Sequence, residues 1–316
     1  MADRSKIEWT DATWNPTRGC SRVSEGCVNC YAEIMAARFS EPGQWGHGFA
    51  EIVRKQGDPL WLDHRWTGKV EIVEDKLLDP LKWKKPRRIF VNSTSDLFHE
   101  RLPNEAIDKV FAVMALCPQH TFQILTKRPE RMREYISGAD LAAIARMWAP
   151  SIIQKLQAVW PLSNVWLGTS CEDQPTADER IPHLIETPAE IRFVSCEPLL
   201  GPINLFDFIG PWAPSPGDLQ APPMLDWIIA GGESGPNARP MHPDWARSLR
   251  GQCATAGVAF FFKQWGEWAH LPEAAEAPDG AHFVQETGSW MTRAGKKAAG
   301  RILDGREHNE FPEIHA

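Results

Sequence analysis

From residue 88 onward the chain repeats one unit: a short apolar run ends in small or polar residues, and a segment of helical character follows. The runs are Arg88–Ser93, Thr121–Thr126, Asn164–Ser170, Ile191–Ser195, Asp226–Gly232 and Val258–Lys263. Rich in β-branched and aromatic residues and almost continuously apolar, they read as parallel strands buried on both faces. One intervening helix opens at Pro103 and runs through Val110, Phe111 and Met114. A second is expected within Ala139–Ala158, interrupted near Pro150. A third starts at Pro243 and stops before Gly257, the usual placement of proline and glycine at helix ends. Strand–helix units with right-handed crossovers close into a full or partial (β/α) barrel. An open doubly wound sheet is the alternative, and the barrel is preferred.

The ends of these runs carry the polar residues. They are Asn92, Ser93 and Asp96; Thr126, Lys127 and Arg128; Ser170 and Glu172; Ser195 and Glu197; Gly231, Gly232 and Glu233; Lys263 and Gln264. In a parallel barrel such positions meet on the C-terminal face, where sites are built. Two stretches interrupt the rhythm. Residues 38–87 form a Trp-rich insertion with a short strand expected near Lys69–Val73. Residues 208–224, rich in Pro and Gly, read as a surface loop. Beyond residue 265 a small hairpin-like appendage is expected at 266–316, around Gly288–Met291 and Lys296–Asp304.

A chain of 316 residues supports one barrel-type domain or two smaller ones. No apolar run approaches the roughly 20 residues that span a bilayer, so the expected setting is cytoplasmic, with no membrane partner. Seven cysteines, an odd number, do not form a secreted disulfide framework. The net charge of −7 argues against indiscriminate coating of nucleic acid. The acidity lies in the second half, however, and two basic runs stand out in the first. One spans Lys82 to Arg88; the other joins Lys127 and Arg128 to Arg131 and Arg133. Such runs grip phosphates or form a solvated surface.

Cys20, Cys27 and Cys30 lie within eleven residues, after a first strand expected around Glu8–Asn15. A structural zinc site takes four protein ligands, so a fourth, from His47 or His64, would be required. Three thiolates suit a [4Fe-4S] cluster that keeps one iron open. Cys117, Cys171, Cys196 and Cys253 read as buried small residues.

A cluster on that loop, beside polar strand ends, resembles the layout of radical S-adenosylmethionine enzymes. Here the intervals between cysteines are six and two, where the usual motif of that superfamily has three and two. Trp14-Asn15-Pro16, Phe90–Ser93 with Ser95–His99, Leu125–Met132, Glu197–Pro202, Gly231–Gly235 and Phe262–Gly266 together resemble a phage and prophage family of unknown function. That family is marked by the same three-Cys motif, and the likeness covers nearly the whole chain. The resemblance implies an α/β fold, a partial (β/α) barrel of the radical S-adenosylmethionine type over 1–265. The insertion follows the first helix, and the small appendage lies at 266–316. It implies two cofactors, the [4Fe-4S] cluster and S-adenosylmethionine, and a reducing electron donor.

Position then suggests roles. Asn92, Ser93 and Asp96 are candidates for the ammonium end of S-adenosylmethionine, and Ser170 and Glu172 for its ribose hydroxyls. Lys127, with Arg128, is a candidate for its carboxylate or a substrate phosphate. Glu197, Glu233 and Lys263 are the candidate catalytic residues. Asp96 is alternatively a helix cap, and Glu197 before Pro198 a turn residue. The expected activity is generation of a 5′-deoxyadenosyl radical, acting on nucleic acid or a nucleotide in modification or repair. The rival readings are a non-catalytic zinc or iron–sulfur protein that binds nucleic acid, and one that senses redox state.

Overall fold

All six apolar runs form strands in the computed structural model, which describes residues 5–54, 62–138, 161–209, 224–271, 282–284 and 289–313. In chain order the strands are β1 (Ala12–Trp14), β2 (Thr17–Arg18), β3 (Ala50–Arg54), β4 (Leu62–Trp66), β5 (Glu71–Ile72), β6 (Arg88–Val91) and β7 (Thr121–Thr126). They continue with β8 (Val165–Ser170), β9 (Ile191–Cys196), β10 (Trp227–Gly231), β11 (Ala259–Gln264), β12 (Trp268–His270), β13 (His282–Val284) and β14 (Ser289–Arg293). The helices are α1 (Tyr31–Arg38), α2 (Glu74–Leu77), α3 (Asn104–Ala115), α4 (Pro129–Gly138), α5 (Gln174–Ile185), α6 (Phe206–Ile209), α7 (Pro243–Ala256) and α8 (Lys296–Ala299).

A seven-stranded parallel sheet has the order β1-β6-β7-β8-β9-β10-β11. The order follows the sequence without a reversal, whereas a doubly wound sheet reverses at a switch point. This is the winding of a partial (β/α) barrel. Registers are in step at Trp14↔Val91 and Val91↔Ile124. The pairing of β10 with β11 slips between Ala230 and Gly231, so Gly231 faces Gln264. The strands are buried because both faces are apolar: Ile89, Val91, Phe122, Ile124, Phe193 and Phe262 are all inaccessible. Each such side chain contributes about 1.5–3 kcal/mol on burial.

By its internal contacts the chain divides into two units. The first comprises residues 1–168 and 186–190, the second 169–185 and 191–316. In the first, α3 buries Ile107, Val110, Phe111 and Met114 along one face, as its spacing predicts. The insertion has more structure than its sequence announces. The expected short strand is β5, paired with β2, and β3 and β4 form an antiparallel hairpin. The hairpin escapes a periodicity reading because β3 leaves Ile52 and Val53 exposed instead of alternating.

In the second unit, α7 carries Pro243 in its first turn, and Gly257 closes it in the left-handed conformation at φ 71°. Beyond Gly266, the expected hairpin is a three-stranded antiparallel sheet of order β12-β14-β13. The helix expected within 139–158 and most of the 208–224 loop lie outside the described residues. Among the described residues, no helix is long and apolar enough to cross a membrane.

Candidate functional site

The three clustered cysteines belong to the first unit, on the segment from β1 to α1. Gly19 starts the loop with a positive φ of 87°, and a side chain there would collide with the Lys69 carbonyl. Only glycine fits both conditions. Gly19 also bridges Ser95, which joins the loop to the exit of β6. Cys20 and Cys30 are half-buried, and Cys27 is buried with its sulfur 4.0 Å from the Ser24 hydroxyl. Cys30 stands at the N-cap position of α1.

The thiols sense one another. Burial above all pushes Cys20 up to about 12; Asp96, Cys30 and Cys27 add to this, and Arg128 opposes it. Cys30 is also raised, first by burial, while the amides of Glu33 and Ala32 at the start of α1 pull the other way. Thiols in this state keep their protons until a cation displaces them. Arg128 and the helix N-terminus are the two features that favour the thiolate. Among the described residues, no three His, Cys, Asp or Glu side chains are gathered as ligands of a single metal ion.

Arg128 is the hub of the surrounding network. Its Nη1 lies 3.1 Å from Asp96 Oδ2 and 3.9 Å from Cys20 Sγ. Nη2 donates to the Ser21 hydroxyl and carbonyl at 2.8 and 3.2 Å, and Nε to Glu100 at 2.8 Å. Burial lowers the guanidinium's basicity, yet Asp96, Cys20 and Glu100 raise it further, so the charge is permanent. Glu100 is held down to about 2; burial works against this, and its own backbone amide and Arg128 prevail. His99 accepts the Arg101 amide at Nδ1, which leaves Nε2 to donate to Ser21 Oγ, 2.9 Å away.

Asp96 is therefore not a helix cap. Its Oδ1 accepts from the Phe98 amide and the Thr126 hydroxyl, and its Oδ2 from the Lys127 amide and Arg128. Those four donors fill the carboxylate's four acceptor positions. Asp96 thus clasps the exits of β6 and β7. Asn92 and Ser93 face the cysteine loop: Asn92 Oδ1 accepts the Thr17 amide at 3.3 Å, and Ser93 Oγ donates to Asn15 at 3.2 Å. Asn92 adopts φ 61°, and its buried Nδ2 has no hydrogen-bond partner among the described residues.

Sequence reasoning missed a second brace. Glu33, buried in α1, accepts Arg22 Nε at 2.8 Å through one oxygen and the Trp66 amide at 2.7 Å through the other. Arg22 Nη2 also reaches the His64 carbonyl at 2.6 Å. One ion pair thus ties the cysteine loop, α1 and β4 together. The available signal was Glu33 three residues after Cys30, on the alanine face of a short helix.

The second unit holds the other candidates in three ion pairs. Lys263 Nζ lies 2.9 Å from Glu197 Oε1, and both are largely buried. Gly231 makes room for that carboxylate, since a Cβ there would lie 2.7 Å from Glu197 Oε1. Glu172 is paired with Arg180 at 3.1 Å, and the same guanidinium nitrogen donates to the Ser170 carbonyl at 2.8 Å. Glu233 is gripped by Arg239, which reaches Oε1 at 2.7 Å and Oε2 at 3.0 Å. Glu197 and Lys263 are thus brought together, while Glu172 and Glu233 each serve an arginine.

No curated protein and no solved structure matches this chain. One family model does, described as a protein of unknown function (DUF5131), over residues 4–312. The chain belongs to that family.

Proposed function

We propose that the protein is a radical S-adenosylmethionine-type enzyme with a [4Fe-4S] cluster on Cys20, Cys27 and Cys30, acting on nucleic acid or a nucleotide. One observation carries this reading: three free cysteines lie on the segment that leaves the first strand of a singly wound parallel sheet, with the Arg128 guanidinium 3.9 Å from the Cys20 sulfur. A single ion needs all its ligands about 2.3 Å from one point, whereas a cluster distributes its thiolates over separate irons. Bound there, the cluster would supply an open iron site and an electron for cleaving S-adenosylmethionine to a 5′-deoxyadenosyl radical.

The chain's own groups have defined tasks in this reading. Arg128 offsets the negative charge that three thiolates accumulate, and Asp96 positions Arg128 through Oδ2. Asn92 offers a buried donor, which suits a carboxylate or hydroxyl of the cofactor better than its ammonium. Lys127 remains the candidate for a carboxylate or substrate phosphate. Glu197 and Lys263 are the candidate pair to hold or move a proton, with Ser195 Oγ 3.4 Å from the carboxylate. Glu233 orients Arg239. The reducing electron donor, the cytoplasm and the phage or prophage setting belong to the same proposal.

The test is turnover. Anaerobically purified, iron-loaded protein given S-adenosylmethionine and dithionite should release 5′-deoxyadenosine, and Cys20→Ala, Cys27→Ala and Cys30→Ala should each abolish it. Iron-loaded protein that leaves S-adenosylmethionine intact would refute the proposal.

A further inference from the structure

We infer that the segment from Lys82 to Arg87 is a docking surface for the phosphate backbone of a nucleic acid. This deepens the proposed function, on which it rests for its biological sense, by choosing a polymer over a free nucleotide. The segment links a short 3-10 turn, Pro80–Lys82, to β6. Lys82, Lys84 and Lys85 are exposed, and Arg87 is half-buried. Lys82 is paired with Asp79 at 2.9 Å, whereas no carboxylate partners Lys84 or Lys85 among the described residues. Each of these two ammonium groups can neutralise one phosphate and release the counterion condensed on it.

The surface is also preformed. The Arg87 guanidinium lies 5.2 Å from the Trp83 ring centroid, a cation–π contact that fixes the fork at the surface. Trp83 is in turn packed edge-on against His120, with centroids 6.1 Å apart. Pro86 removes backbone freedom between the lysines and Arg87. A protein of net charge −7 that concentrates cations in one rigid segment selects for anions locally, not over its whole surface. A membrane is the poorer fit. The flanking helices are four and three residues long, too short for the amphipathic helix that lies in a bilayer interface.

The placement is consistent with a polymer. The basic segment enters β6 at Arg88, and the cysteine loop is braced at the opposite end of that strand, at Asn92. The strand spans about 13 Å at roughly 3.3 Å per residue. β6 is buried between β1 and β7, so a ligand that reaches both ends passes around the sheet and is longer than one nucleotide.

The experiment is fluorescence anisotropy of the full-length protein with labelled single-stranded and duplex oligonucleotides, between about 50 and 200 mM salt. Lys84→Glu/Lys85→Glu should weaken binding at least about tenfold and flatten the logarithmic salt slope by about two. Lys296→Glu/Lys297→Glu, a matched exposed pair on α8, should change affinity less than about twofold. Equal affinities for the two double variants would overturn the inference, as would no binding by the parent protein at low salt. Selective binding to phosphatidylserine vesicles, but not oligonucleotides, would overturn it in favour of a membrane. The measurement does not depend on metal. Metal-free protein should show the same ranking of the two double variants, so failure of the cluster proposal and failure of this one are separable.

Discussion

Each unit contains three neighbouring cysteines, and the two trios have opposite surroundings. Cys20, Cys27 and Cys30 lie on a loop, two of them half-buried, with Arg128 beside Cys20. Cys171, Cys196 and Cys253 are sealed, at 0% exposure. Burial raises the Cys196 thiol most, followed by Cys171, Cys253 and the carboxylates Glu172 and Glu197. Proximity of thiols is common to both. Access, with a guanidinium beside Cys20, marks the first trio, and these are what a thiolate ligand needs. The carboxylates differ in the same way: Asp96 directs a guanidinium towards a sulfur, whereas Glu172 holds Arg180, which donates to the Ser170 carbonyl.

The sharpest way to break this contrast is substitution within each trio. Alanine at Cys20, Cys27 or Cys30 should remove essentially all bound iron, while Cys196→Ala should leave iron content unchanged and lower stability. Metal analysis beside thermal melts reads both, and iron loss on Cys196→Ala would erase the distinction. Next in size is Arg180→Met. It takes the guanidinium from Glu172, whose side chain is 1% exposed, and should cost about 3–5 kcal/mol in urea unfolding.

Asp96→Asn should cost less, about 1–3 kcal/mol, because one oxygen still accepts from the Phe98 amide and the Thr126 hydroxyl while the Lys127 amide and Arg128 lose theirs. It should also make Cys20 more reactive towards iodoacetamide at pH 8 in metal-free protein, since the Asp96 carboxylate raises that thiol. Slower alkylation would contradict the charge assignment. The smallest effect is alkaline. Cys253 is pushed from 9.0 to about 12, chiefly by burial. The folded thiol holds its proton after the unfolded one has lost it. Its contribution is therefore intact below pH 9 and falls as pH rises towards 12, by at most about 1.4 kcal/mol per pH unit. Cys253→Ala should flatten that decline in denaturant melts at pH 8 to 10.

The fold was legible wherever burial wrote itself into the sequence. β8, β9 and β10 are buried along nearly their whole length, and their apolar runs announce them. The β3–β4 hairpin was not legible, because its exposed Ile52 and Val53 break the alternation. At the site, the cysteines were visible by spacing and Asp96 by its place at a strand end. Its real task was hidden, since a carboxylate's four acceptor contacts, drawn from residues 98 to 128, leave no local pattern. Arg22 and His99 were hidden for the same reason, and Glu33 showed only as a carboxylate three residues after Cys30. Their partners are brought near only by the fold.

The most direct test of the central claim is metal content and electron paramagnetic resonance on anaerobically purified, reconstituted protein, with and without S-adenosylmethionine. About four irons per chain, and a reduced spectrum that changes when S-adenosylmethionine is added, are the expected result. One zinc and no iron, persisting after reconstitution, would contradict it.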